Sequence, residues 1–147
     1  MVSNKQKNDD DIFQESIQFH QSGDLNKAQK GFEYLISKYP ESSDLCNSLG
    51  TLYLQIGNNK KGCGLLEKSL RINPNQPMIC FNLGNSYLNQ KNLPKALEFY
   101  TTTIKKAPEY LEAYIKKGEL LTNLKIHNEA IDCLKRALKI APENFKF

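Results

Sequence analysis

Residues 80–108 read CFNLGNSYLNQKNLPKALEFYTTTIKKAP. The closing Pro108 belongs to a series, Pro40, Pro74, Pro108 and Pro142, each 34 residues after the one before. A fixed period of that size marks a repeat array, in which one helical hairpin cannot bury its apolar face alone and must stack on copies of itself. Four units follow, 9–42, 43–76, 77–110 and 111–144, and no insertion breaks their phase.

A chance period in prolines would not carry other columns with it. The eighth column reads Ser16, Gly50, Gly84, Gly118 and the twentieth Ala28, Gly62, Ala96, Ala130, small throughout. The eleventh reads Phe19, Tyr53, Tyr87, Leu121 and the twenty-fourth Phe32, Leu66, Tyr100, Leu134, large and apolar throughout. Small residues let two helix backbones approach while large ones fill the space beside them, so each unit is two helices face to face. Breakers set their limits. Gly23-Asp24, Gly57-Asn58-Asn59 and Lys91-Asn92 are turn-prone, and Lys125-Ile126-His127-Asn128 departs from that chemistry. Pro94 falls at the start of a second helix, where its missing N–H costs nothing, and the periodic prolines end each second helix by pushing the preceding residue out of helical geometry. The pattern predicts eight helices near 10–22, 25–38, 44–56, 59–72, 78–90, 93–106, 111–124 and 127–140, in a single domain preceded by a loose polar tail over 1–8.

Composition agrees with a folding chain. Of 147 residues, 24% are charged and 39% aliphatic, aromatic or Cys, too apolar for a disordered sequence. The net charge of +4 lies in the second half and is spread over helices with acids between the lysines. That argues against nucleic acid, which asks for a dense basic stripe. Cys46, Cys63, Cys80 and Cys133 form no CxxC pair and sit inside helical patterns, with His20 and His127 far apart, so neither a zinc site nor a disulfide framework is expected. No apolar run approaches the ~18 residues of a membrane span and no leader precedes the repeats, so the expected setting is cytoplasmic.

With these residues in view, 9–144 resembles the tetratricopeptide repeats. The resemblance rests on the 34-residue unit, LGxxY at Leu49-Gly50 to Tyr53 and Leu83-Gly84 to Tyr87, the small-to-large step Ala28/Phe32, Ala96/Tyr100 and Ala130/Leu134, and the final proline. Departures are Ser16 for Gly, Gly62 for Ala, expected to weaken its helix by ~1 kcal/mol, and Ile12, Cys46, Cys80 and Tyr114 where the family carries tryptophan. The resemblance implies an all-α, right-handed α-solenoid superhelix of four helix-turn-helix hairpins, with first helices lining a concave groove that holds a peptide. By register it implies Asn47, Asn82, Asn85, Asn89 and Asn123 as contact candidates, since carboxamides both donate to and accept from a peptide backbone. Phe13, Phe81 and Ile115 are the implied apolar anchors, read as exposed beside those amides.

Some members grip the carboxylate tail of chaperones. The corresponding register is Asn47 and Thr51, then Asn82, then Glu112 and Lys116; only Asn82 and Lys116 fit, and Glu112 would repel a carboxylate. The sixth column, Gln14, Ser48, Asn82, Lys116, is a partial version of the Asn ladder in the repeat region of O-linked N-acetylglucosamine transferases. Enzyme motifs fail: Gly62-Cys63-Gly64 lies in a helix and lacks the third glycine of a dinucleotide fingerprint. The reading is a non-enzymatic scaffold for a protein or peptide partner, with no cofactor, metal, nucleic acid or membrane. The alternatives are the substrate-guiding region of a larger enzyme such as a glycosyltransferase, or a self-associating module. For both, Leu134, Leu138 and Cys133 of the last hairpin are expected to be partly bare.

Overall fold

The computed structural model describes residues 7–145; residues 1–6, most of the expected polar tail, and 146–147 lie outside the described residues. Eight helices run in order: α1 Asp9–Ser22, α2 Leu25–Lys38, α3 Ser43–Gln55, α4 Asn59–Ile72, α5 Pro77–Asn89, α6 Leu93–Lys106, α7 Leu111–Asn123 and α8 His127–Ile140. Each boundary lies within one residue of the predicted one, because the breakers that locate it act on the backbone directly. Asn8, expected in the loose tail, caps α1: its side chain accepts from Asp11 N–H at 2.7 Å. A short 3₁₀ turn, Pro142–Phe145, follows α8 and was not foreseen.

The turns repeat like the helices. Each first helix ends in a residue with positive φ at one column: Gly23 at 85°, Gly57 at 84°, Lys91 at 59° and Lys125 at 61°. In the last three hairpins the next N–H reaches back to close the helix end, Asn58 to Tyr53 O at 2.8 Å, Asn92 to Tyr87 O and Ile126 to Leu121 O both at 2.9 Å. The residue after the positive φ caps the second helix. Asp24, Asn58 and Asn92 accept from the N–H of Lys27, Lys61 and Lys95, whereas Ile126 caps α8 with no side-chain bond. Every second helix ends just before its proline, at Tyr39, Asn73, Ala107 or Ala141, with ψ between 65° and 98°.

The chain forms two compact units, Met1–Pro74 and Asn75–Phe147, each of two hairpins. In the first, Ala28, Phe32, Leu35, Leu45, Leu49, Leu52 and Tyr53 form the core, with Ile12, Phe13, Ile17 and Phe19 of α1 packed on it. In the second, Tyr114, Leu121, Ala130, Cys133 and Ala137 form a core joined by Leu97, Ile104, Ile115 and Ile140, and Leu83 and Tyr100 are fully buried. The small columns sit where paired helices touch. A Cβ on Gly84 would come 2.6 Å from the Tyr100 ring.

Gly62 is more than a weak point in α4. A Cβ there would come 2.5 Å from Leu54 Cδ2 and 2.9 Å from the Gly50 carbonyl oxygen, so its missing side chain is what lets α3 and α4 meet. The intrinsic propensity cost is offset by that approach.

Candidate functional site

On α5 the expected contact face is partly committed to the fold. The Phe81 ring is half-buried, 5.8 Å from Tyr100 and 5.1 Å from Tyr110 centroid to centroid. It braces the start of α7 and does not stand out as an exposed anchor. Asn85 is half-buried and accepts from the Tyr100 hydroxyl through Oδ1 at 2.7 Å. That bond satisfies the one polar atom of a fully buried ring, and burial together with the Glu119 charge pushes the Tyr100 phenol up to about 12.

The side chains of Asn82, half-buried, and Asn89, exposed, bond to no described residue. The apolar group that does stand out on this helix is Met78, 65% exposed.

On α7, Ile115 packs into the core of its unit, so the third expected anchor is also mostly internal. Lys116 pairs with Glu119 at 3.1 Å one turn on, which holds its ammonium on its own helix. Asn123 is exposed and shares a shallow hollow of about 320 Å³ with Glu119, Thr122 and Leu134.

In the first unit, Asn47 accepts from the Thr51 hydroxyl at 3.3 Å, so these two expected contacts hold each other. His20 of α1 and Gln55 of α3 meet at 2.7 Å and tie neighbouring first helices together. Phe13 lies edge-on to Phe32, centroids 6.1 Å apart, and lines a concavity of about 270 Å³ with Leu35, Tyr39 and Leu45. Asp9, Asp10, Ser42 and Asp44 complete its wall. Lys38 pairs with Asp9 at 2.6 Å and the Tyr39 hydroxyl donates to the same carboxylate at 2.7 Å; these bonds hold Asp9 below the usual carboxylate range. Asp10 and Asp44 share the second position of their repeats, on first helices, and differ from the amides and apolar groups expected as contacts.

All four cysteines are buried, and burial pushes the Cys46, Cys80 and Cys133 thiols up, away from the reactive thiolate. Among the described residues no cluster of three His, Cys, Asp or Glu is placed to hold a metal, and no helix is long and apolar enough to cross a membrane.

On α8, Ile131, Leu134 and Leu138 are 48%, 37% and 44% exposed. Phe32, Leu66 and Tyr100, which share the column of Leu134, are fully buried. Cys133 differs from expectation: it is buried, on the side of α8 where Gly118 of α7 approaches.

Comparison with known proteins follows the same divisions. The chain is 32% identical over 95 residues to anaphase-promoting complex subunit 3 of Schizosaccharomyces pombe, a stretch covering 65% of this chain and 14% of that one. It spans only 11–26% of the length of the curated relatives it matches. Among solved structures, MamA superposes with a TM-score of 0.89 at 20% identity, over 99% of this chain and 85% of that one. YrrB, described as a TPR protein with an unusual peptide-binding site, superposes with a TM-score of 0.80 at 20% identity, over 92% of this chain and 70% of that one. Tetratricopeptide repeat profiles match 13–42, 43–76, 77–110 and 111–144, in the phase set by the prolines. With the repeat phase, the capped turns and the all-α solenoid fold in agreement, the chain belongs to the tetratricopeptide repeat family.

Proposed function

We propose that the chain is a non-catalytic scaffold that holds an extended peptide or partner helix against the lining faces of its first helices. The observation that carries this reading is the face of α5, where the Asn82 and Asn89 side chains have no internal partner and the same helix exposes Met78. A carboxamide with both functions open can pair with a peptide backbone irrespective of its side chains, and an exposed thioether adapts to varied apolar partners. Asn85 and Phe81 support this face from within through Tyr100. Asn47, Thr51, Phe13, Ile115, Lys116 and Asn123 are secondary contacts. The family and the fold shared with YrrB support a protein partner in general, and the setting proposed for it is the cytoplasm.

The test is affinity purification with Asn82→Ala/Asn89→Ala against the unmodified chain, each followed by mass spectrometry. Neither asparagine bonds within the fold, so the variant should melt as the parent does and lose its partners. Retention of every partner would sink the reading.

A second reading rests on the Ile131, Leu134 and Leu138 ridge of α8. We infer that it is covered by another helix, from a second copy or from a longer chain of the kind its relatives have. Light scattering at rising concentration tests the first source: a dimer abolished by Leu134→Lys supports it, and a monomer throughout removes it.

A further inference from the structure

The concavity in the first unit combines an apolar floor with unneutralised charge. Phe13, Leu35 and Leu45 form the floor, and Asp9, Asp10 and Asp44 stand on the wall. Asp9 is held by Lys38 and Tyr39. The Asp10 and Asp44 carboxylates make no hydrogen bond or ion pair with any described residue. Both lie in the first turn of a helix, α1 and α3, where an acid favourably meets the helix dipole. That explains why acids are tolerated there, and Asp11 serves α1 in the same way without lining the concavity. It does not explain why two unpaired carboxylates flank an apolar hollow. The chain as a whole carries +4, so a cationic ligand gains nothing from the overall field and would be drawn only by a local negative site.

We propose that this pocket binds a basic side chain of the partner peptide, its cationic head between Asp10 and Asp44 and its aliphatic stem, with an adjoining apolar residue, on Phe13 and Leu45. This deepens the scaffold reading and rests on it: α5 pairs with peptide backbone, and the first-unit pocket selects for charge. An Arg or Lys suits such a site because its methylene stem covers apolar surface while its head meets the carboxylates. Phosphate and carboxylate tails are rejected by the same two acids.

The experiment is a fluorescence anisotropy titration of the full chain with two end-capped peptides of equal length, one alternating Arg with Leu, the other Glu with Leu. The Arg–Leu peptide should bind, more weakly as salt is raised, and the Glu–Leu peptide should not. Asp10→Asn/Asp44→Asn keeps the shape and removes the charge, and should weaken Arg–Leu binding roughly tenfold, two partly exposed charge pairs being lost. If the double variant melts early, Asp44→Asn alone should weaken it about threefold. Equal binding of both peptides, or unchanged binding by the folded Asn variants, would overturn the proposal. So would self-association that the Arg–Leu peptide leaves intact. Asn82→Ala/Asn89→Ala, titrated alongside, separates the two readings: failure of the α5 face shows there as unchanged affinity, whatever the Asp variants do.

Discussion

Lys125→Gly should stabilise the protein, although it deletes a whole charged side chain. Lys125 ends α7 at φ 61°, in the column where the first two hairpins carry Gly23 and Gly57. An L-residue held there suffers a contact between Cβ and carbonyl oxygen costing roughly 1–2 kcal/mol, and glycine removes it. Against this, glycine widens the unfolded ensemble by about 0.4–1 kcal/mol. The Lys125 side chain is exposed and makes no hydrogen bond or ion pair with a described residue, and glycine keeps the backbone N–H that reaches Thr122 O at 3.0 Å, so no contact is lost. The net is a gain of roughly 0.5–1 kcal/mol, and Lys91→Gly should match it because Lys91, at 59°, is equally unpartnered. Gly57→Ala supplies the reverse: a Cβ there meets nothing within 4 Å, so its loss of about 1 kcal/mol is purely conformational. Urea denaturation measures all three as shifts in midpoint at constant slope. Because repeat arrays can lose stability one hairpin at a time, hydrogen exchange should place the Lys125→Gly gain in α7 and α8. A Lys125→Gly midpoint at or below the parent's, with Gly57→Ala neutral, would refute the assignment of strain to this column.

Ile126→Asn should stabilise α8 by about 1 kcal/mol, since it supplies the side-chain cap that Asp24, Asn58 and Asn92 provide in the other hairpins; thermal melts read it, and an unchanged melt would mean that the α8 start is satisfied otherwise. Gly62→Ala and Gly64→Ala should differ in sign. The first forces Leu54 and the Gly50 carbonyl apart, a cost of about 1–3 kcal/mol against a propensity gain of about 1, while the second meets nothing within 4 Å and keeps the gain; equal effects on the melt would discount the close approach of α3 and α4. In an alkaline titration, Tyr100 and Tyr53, both pushed up to about 12 with burial as the first cause, should ionise well above the ordinary 10.0 of a phenol. A phenol raised from its ordinary 10.0 stabilises the fold fully below pH 10, and that contribution is lost as pH climbs toward 12. Phenolate absorbance that rises in one step near pH 10 would contradict this, and Tyr100→Phe should remove part of the late step.

Which features could be read beforehand follows from how locally each is determined. Pro74 ends α4 through its own ring and Asn58 starts it with its own side chain, so helix limits needed no tertiary knowledge. The pairing of small with large columns was equally legible, because it repeats. The face of α5 was not, because register says only which side of a helix a residue occupies and not how deep its neighbours let it sink. Phe81 and Asn85 share the lining side with Asn82, yet one ring lies against Tyr100 and Tyr110 and one carboxamide binds the Tyr100 hydroxyl. The cause is the residue at the twenty-fourth column. Phe32 and Leu66 carry no polar atom there, and Tyr100 alone asks the first helix for an acceptor. The residue that distinguishes repeat three on its inner side therefore fixes which amide of its outer side remains open. In this fold, binding residues must be sought by subtracting what the buried columns demand from what the exposed columns offer.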